Sequence, residues 1–151
     1  MLRSSKKRVI ILGSGVDLVR VGRFERWTNY SDLALGKVFN PLEVARFSEL
    51  ILENKVKALQ FLASRFAVKE AFYKALCDMR KYSTCPQKPL FFLELARQIH
   101  IVSVKGVPVL PREVLLKYSE TDDFESSVSI SHESCCVAAM VTIFCALSDR
   151  L

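Results

Sequence analysis

A chain of 151 residues with 22 Lys+Arg against 16 Asp+Glu carries a net charge of +6 and a pI near 9.2. It has the length of one domain, and its field favours an acidic or polyanionic partner. Half its residues are hydrophobic at a mean hydropathy of +0.20, yet the longest apolar run, Cys135 to Leu147, is too short for a membrane helix and holds Thr142, so the chain reads as soluble, with no membrane partner.

Met1 to Arg8 is basic, and the first acidic residue is Asp17. The segment lacks the apolar centre of a signal peptide. Residues 1–8 are read as a basic tail and 9–151 as a single domain. The tail suits either a short mitochondrial address or a solvated arm, so the expected compartment is mitochondrial, with the cytoplasm as the alternative.

Val9 to Val19 is a β-branched run broken by two glycines, which favours a strand. Alternation along it puts Gly13, Gly15 and Asp17 on one face, with open space beside the carboxylate. Arg20 to Trp27 has Val21, Phe24 and Trp27 at helical spacing. A second helix begins at Pro41, with Asn40 as N-cap and Glu43 three residues on.

Glu53 to Cys77 is the clearest helix, marked by Leu59, Leu62, Phe66 and Tyr73. Asp78 to Lys88 reads as a loop. Strands are expected at Ile99 to Val104, Val107 to Leu110, Val128 to Ser131 and Val137 to Phe144, with a turn at Lys105-Gly106. The five cysteines, Cys77, Cys85, Cys135, Cys136 and Cys145, are odd in number and lack C-x-x-C spacing, so they read as reduced thiols.

Several residues can carry chemistry. Asp17, a carboxylate in an apolar strand, must be hydrogen-bonded, paired or metal-bound; it is either a metal ligand or a cap for a nearby turn. Glu70 and Lys74 lie one turn apart beside the apolar face of the long helix, as an ordinary helix pair or as interior charges. Arg65, Lys69 and Lys74 gather cations around one carboxylate, which suits a phosphate held beside a divalent metal or a solvated basic face. His132 stands where a strand gives way to a turn and can reach a ligand or serve the fold.

GSGVDL has Leu18 where a dinucleotide fingerprint needs glycine, and neither a Walker lysine pattern nor zinc spacing occurs. A non-catalytic RNA-binding module using Arg3, Lys6, Lys7 and Arg8 is the rival from another class. It leaves Asp17 and Glu70 unexplained, and no nucleic-acid partner is expected.

Three blocks, GSGVDLVRVGRFERW, FLASRFAVKEAFYKAL and VSISHESCCVAAMVTI, resemble in order and spacing those of the holo-acyl-carrier-protein synthases, a family of 4′-phosphopantetheinyl transferases. The resemblance implies an α+β fold, a small antiparallel sheet packed with one long helix and shorter ones, assembled as a homotrimer. It implies Mg²⁺-dependent transfer of 4′-phosphopantetheine from coenzyme A to a serine of an apo acyl carrier protein, releasing adenosine 3′,5′-bisphosphate. A degenerate member that binds coenzyme A without transfer is the nearer alternative.

By the same resemblance, Asp17 and Glu70 are the magnesium ligands, and Lys74 handles the transferred phosphate and the acceptor hydroxyl. Arg65 and Lys69 match helix cations near coenzyme A, Lys57 a contact to its 3′-phosphate, and Ser131-His132 the serine-histidine block. Gly106-Val107-Pro108 resembles a G-K-P turn beside the nucleotide, with Val107 where the lysine stands. Arg23 and Lys37 match two arginines that face the acidic carrier, and the glycine-free stretch Cys77 to Leu90 departs from the family's short turn.

Overall fold

The computed structural model describes residues 8–82, 89–105, 107–118 and 124–147. Strand β1 (Arg8–Arg20) is followed by a 3-10 helix (Val21–Asn29), then α1 (Asp32–Leu35), α2 (Pro41–Glu53) and α3 (Lys55–Arg80). The second half adds α4 (Phe92–Gln98), the short strands β2 (Val102–Val104) and β3 (Val107–Val109), α5 (Arg112–Leu116), β4 (Phe124–His132) and β5 (Cys136–Leu147). β1, β5 and β4 form an antiparallel sheet in that order, with β5 central, while β2 and β3 pair separately.

Arg8 belongs to the domain and not to a tail, because it pairs with Leu147 at the end of the β1–β5 ladder. The ladder slips by one residue between Ile11 and Gly13, so Ile11 pairs with Phe144 and Gly13 with Ile143. This bulge puts Ile11 and Gly13 on opposite faces. From Gly13 onward the alternation holds, and Gly13, Gly15, Asp17 and Val19 face the helices while Val16 and Leu18 are exposed on the outer face.

The inner face of the sheet lies against α3, whose 26 residues span about 39 Å. The contact is backbone to backbone. A Cβ on Gly13 would stand 2.3 Å from the Ala75 carbonyl oxygen, and one on Gly15 would stand 2.0 Å from that of Ala71. Only glycine permits this approach, and the opposing Ala71 and Ala75 are wholly buried.

Caps set the helix boundaries. Asn40 and Glu43 close a capping box at the start of α2, with Glu43 Oε2 accepting from the Asn40 amide at 3.0 Å. Asn54 ends α2 and caps α3, its side chain accepting from the Lys57 amide at 3.1 Å. A single apolar cluster built around Leu62, Phe66, Phe72 and Leu76 of α3 joins every layer, each such side chain contributing about 1.5–3 kcal/mol on full burial.

Six elements run differently from the sequence reading. The Arg20 to Trp27 segment is a 3-10 helix, and α1, α4 and α5, of four, seven and five residues, were not anticipated because two turns or fewer carry no readable period. The loop expected from Asp78 is still α3 as far as Arg80, and its residues 83–88 lie outside the described part. The strand expected at Ile99 begins only at Val102.

Gly15→Val is expected to destabilise the protein by about 3 kcal/mol or more, since the backbone of α3 cannot yield as a side chain would. Gly22→Ala meets nothing within 4 Å and is expected to change stability by less than about 0.5 kcal/mol. Urea unfolding midpoints of the two variants check both outcomes.

Candidate active site

Close packing of β1 on α3 delivers Asp17 beside Lys74. Lys74 Nζ donates to Asp17 Oδ1 at 2.9 Å and to the Val16 carbonyl at 3.0 Å. The Asp17 side chain is 14 % exposed and that of Lys74 48 %, so the carboxylate is largely covered while the ammonium reaches the surface. Asp17 Oδ2 is buried and has no hydrogen-bond partner among the described residues. An anionic oxygen left in that state is costly unless a cation completes it.

Glu70 lies one helical turn before Lys74, within electrostatic reach of Asp17. Burial, and then the Asp17 carboxylate, hold the Glu70 carboxyl above its ordinary range, against the pull of Lys74 and Arg23. Arg23 approaches from the 3-10 helix, its guanidinium stacked 4.8 Å from the centre of the Phe66 ring. Two carboxylates and two cations thus meet where three elements converge.

The donor set fits a hard divalent cation. Two carboxylates, one with a free buried oxygen, suit Mg²⁺, which takes few protein ligands and fills its remaining positions with water and phosphate oxygens. Among the described residues no group of three or more His, Cys, Asp or Glu forms a closed cage.

A concavity of about 340 Å³ is lined by Arg65, Ile101, Val102, Ser103, Pro108, Ile130 and His132. Asp17 pairs with Ala139 and Ala139 with Ile130, so the carboxylate and the pocket share one row of the sheet, two strand spacings or about 10 Å apart. The structure therefore brings together Arg65, Pro108 and His132 from three separate regions. Arg65 stacks 4.6 Å from the Phe61 ring centre, one turn back, and its Nε is buried without a hydrogen-bond partner among the described residues.

Other expected site residues stand apart. Lys69 does not face a nucleotide: it is wholly buried, and its Nζ is bound to Glu43 at 2.8 Å and to the Ala96 and Ile99 carbonyls. Lys57 is exposed in the first turn of α3, about 12 Å along the axis from Arg65, and does not line the pocket. Ser131 pairs with Ala138 and points to the face opposite His132. Lys37 is exposed after α1, and Gly106 lies outside the described residues.

Residues 13–104 match the family model of the 4′-phosphopantetheinyl transferase superfamily. The chain belongs to this superfamily. Within it the relatives are of the synthase type. The holo-[acyl-carrier-protein] synthase of Treponema pallidum is 31% identical over 143 residues, covering 89% of this chain and 96% of that one. The synthase of Bordetella pertussis is 40% identical over 67 residues, and the match spans 44% of either chain, less than half the length of that relative. Among solved structures, the ACPS–CoA complex of Chronobacterium ammoniagenes superposes with a TM-score of 0.63 at 27% identity, covering 90% of this chain and 96% of that one.

In this member of the superfamily, two features of the site were not read from the sequence. Glu43 is the buried partner of Lys69 and not only a cap; the signal was a lysine framed by Ala67, Val68, Ala71 and Phe72 on a buried stretch, which requires a carboxylate from elsewhere. Phe61 and Phe66 are platforms for Arg65 and Arg23. The Phe61 to Arg65 spacing of one turn was legible, whereas the Arg23 to Phe66 contact depends on tertiary packing.

Carboxyl titration by NMR is expected to place the Glu70 midpoint above the ordinary 4.5. Asp17→Asn removes a repelling charge and should lower it, while Lys74→Met removes an attracting one and should raise it. A Glu70 midpoint indifferent to both substitutions contradicts the geometry described.

Proposed function

We propose that this protein transfers the 4′-phosphopantetheine arm of coenzyme A to a serine of an apo acyl carrier protein in an Mg²⁺-dependent reaction. The observation that carries the reading is the buried Asp17 Oδ2, without a hydrogen-bond partner among the described residues, beside Glu70 and Lys74. Relatives of the same family named as holo-[acyl-carrier-protein] synthases, and solved complexes with coenzyme A, support the substrate pair.

Asp17 and Glu70 would hold the metal, which when bound would neutralise charge on the pyrophosphate of coenzyme A. Arg65 and His132 receive the nucleotide end in their shared pocket, so that the pyrophosphate lies toward the carboxylates. Lys74, exposed enough to turn from Asp17, donates to an oxygen of the transferred phosphoryl group. The serine oxygen forms a bond to phosphorus, the bond to the adenosine 5′-phosphate oxygen breaks, and adenosine 3′,5′-bisphosphate leaves. Glu70, one turn from Lys74 on α3, accepts the serine proton.

The carrier docks on exposed Arg23 and Lys37, drawn by the net charge of +6. Lysine at position 37 keeps the charge and loses the bidentate fork. Assembly is a homotrimer, supported by the outer sheet face, where Val16, Leu18 and Met140 form an exposed apolar patch on adjacent strands.

Intact-mass analysis of an apo carrier incubated with coenzyme A and Mg²⁺ is expected to show one added phosphopantetheine, abolished by chelator and by Asp17→Ala, and slowed as salt rises. Turnover by a folded Asp17→Ala variant would remove that residue from the mechanism. Sedimentation velocity is expected to give three copies for the active enzyme and a smaller species for Leu18→Glu. An active monomer contradicts the trimer.

A further inference from the structure

Lys69 and Arg65 lie one turn apart on α3, and among the described residues Glu43 is the carboxylate that acts on both. Lys69 directs its ammonium to three acceptors, Glu43 Oε2 at 2.8 Å and the carbonyls of Ala96 and Ile99, which uses all three of its protons. Glu43 is 3 % exposed and also accepts from the Asn40 amide at 3.0 Å. Arg65 lies within the electrostatic reach of the same carboxylate, yet the closest ion pair that Glu43 makes is with Lys69. The Arg65 guanidinium instead stacks on Phe61 and lines the pocket shared with His132.

We infer that Lys69 is a positioning residue that occupies Glu43 and so leaves the Arg65 guanidinium free to bind an anionic nucleotide in the pocket. Two cations around one carboxylate leave a surplus of one positive charge, and the geometry assigns that surplus to Arg65. Without the ammonium, Glu43 becomes an uncompensated buried anion with Arg65 within its electrostatic reach. Arg65 then turns inward, and the pocket loses its anion-binding group without losing any residue that touches ligand.

The inference rests on the reading that the pocket receives the nucleotide end of coenzyme A, and it makes a demand that a purely structural ion pair does not. Removing either partner of a buried pair destabilises the fold. Ligand affinity should nevertheless respond to one partner only. Lys69→Met releases Glu43 to capture Arg65, whereas Glu43→Gln removes the competitor.

The test is titration calorimetry of adenosine 3′,5′-bisphosphate against the full chain and its variants, with melting temperatures alongside. Lys69→Met is expected to weaken binding tenfold or more, Glu43→Gln to leave it within about threefold, and the double variant to restore the affinity lost in Lys69→Met. Lys69→Gln, whose amide still donates to the two carbonyls, carries the same expectation as Lys69→Met if that variant does not fold. Equal losses in the Lys69 and Glu43 variants, following their melting temperatures, overturn the inference in favour of a structural pair, and unchanged affinity in the Lys69 variants also overturns it. Arg65→Met separates the underlying reading: if it binds the bisphosphate as tightly as the unaltered protein, the pocket is not the nucleotide site and the inference falls with it.

Discussion

The site depends on the distance between the backbone of β1 and that of α3. Gly13 and Gly15 have no side chain to hold the strand off, and Ala71 and Ala75 offer a small-residue surface in return. Two residues beyond Gly15, the same strand face presents Asp17, and one turn from Ala71 the same helix presents Lys74. A methyl group at either glycine would occupy helix backbone, so the ionic contact at 2.9 Å between Asp17 and Lys74 is a product of steric permission given nearby. Catalytic geometry here is set by what is missing from the sequence as much as by the charged residues that it contains.

The helix α3 carries three cations within three turns and puts them to different uses. Lys69 is buried and matched, Lys74 is half-exposed and bound to a carboxylate that it can leave, and Arg65 is stacked on an aromatic ring at the edge of a pocket. The differences follow from helical phase. Position 69 looks toward α2 and α4, where Glu43 waits, position 65 borders the pocket shared with His132, and position 74 looks toward β1. A lysine whose neighbours in space are carbonyls and a carboxylate is part of the scaffold, however close in sequence it stands to the reactive residues.

Much of this was legible. Strand alternation placed Gly13, Gly15 and Asp17 on one face, and the strong period of the long helix placed Glu70 and Lys74 together, because both signals are local and both elements are long. The capping box at Asn40 and Glu43 was legible for the same reason. Lys69 was misread because helical spacing locates a side chain on a face without saying what covers that face; α4, seven residues long and without a readable period, is what covers it. The outward turn of Ser131 follows from strict alternation beside His132, so a serine-histidine pair on one strand cannot aim at a single point. The bulge at Leu12 was invisible, since nothing in the composition of Val9 to Gly13 fixes where a ladder slips.

The four charged groups of the site, Asp17, Glu70, Lys74 and Arg23, sum to zero. Folding therefore gathers these groups without adding net charge to the site, and the polypeptide reaches its final shape through the pairings that it carries itself.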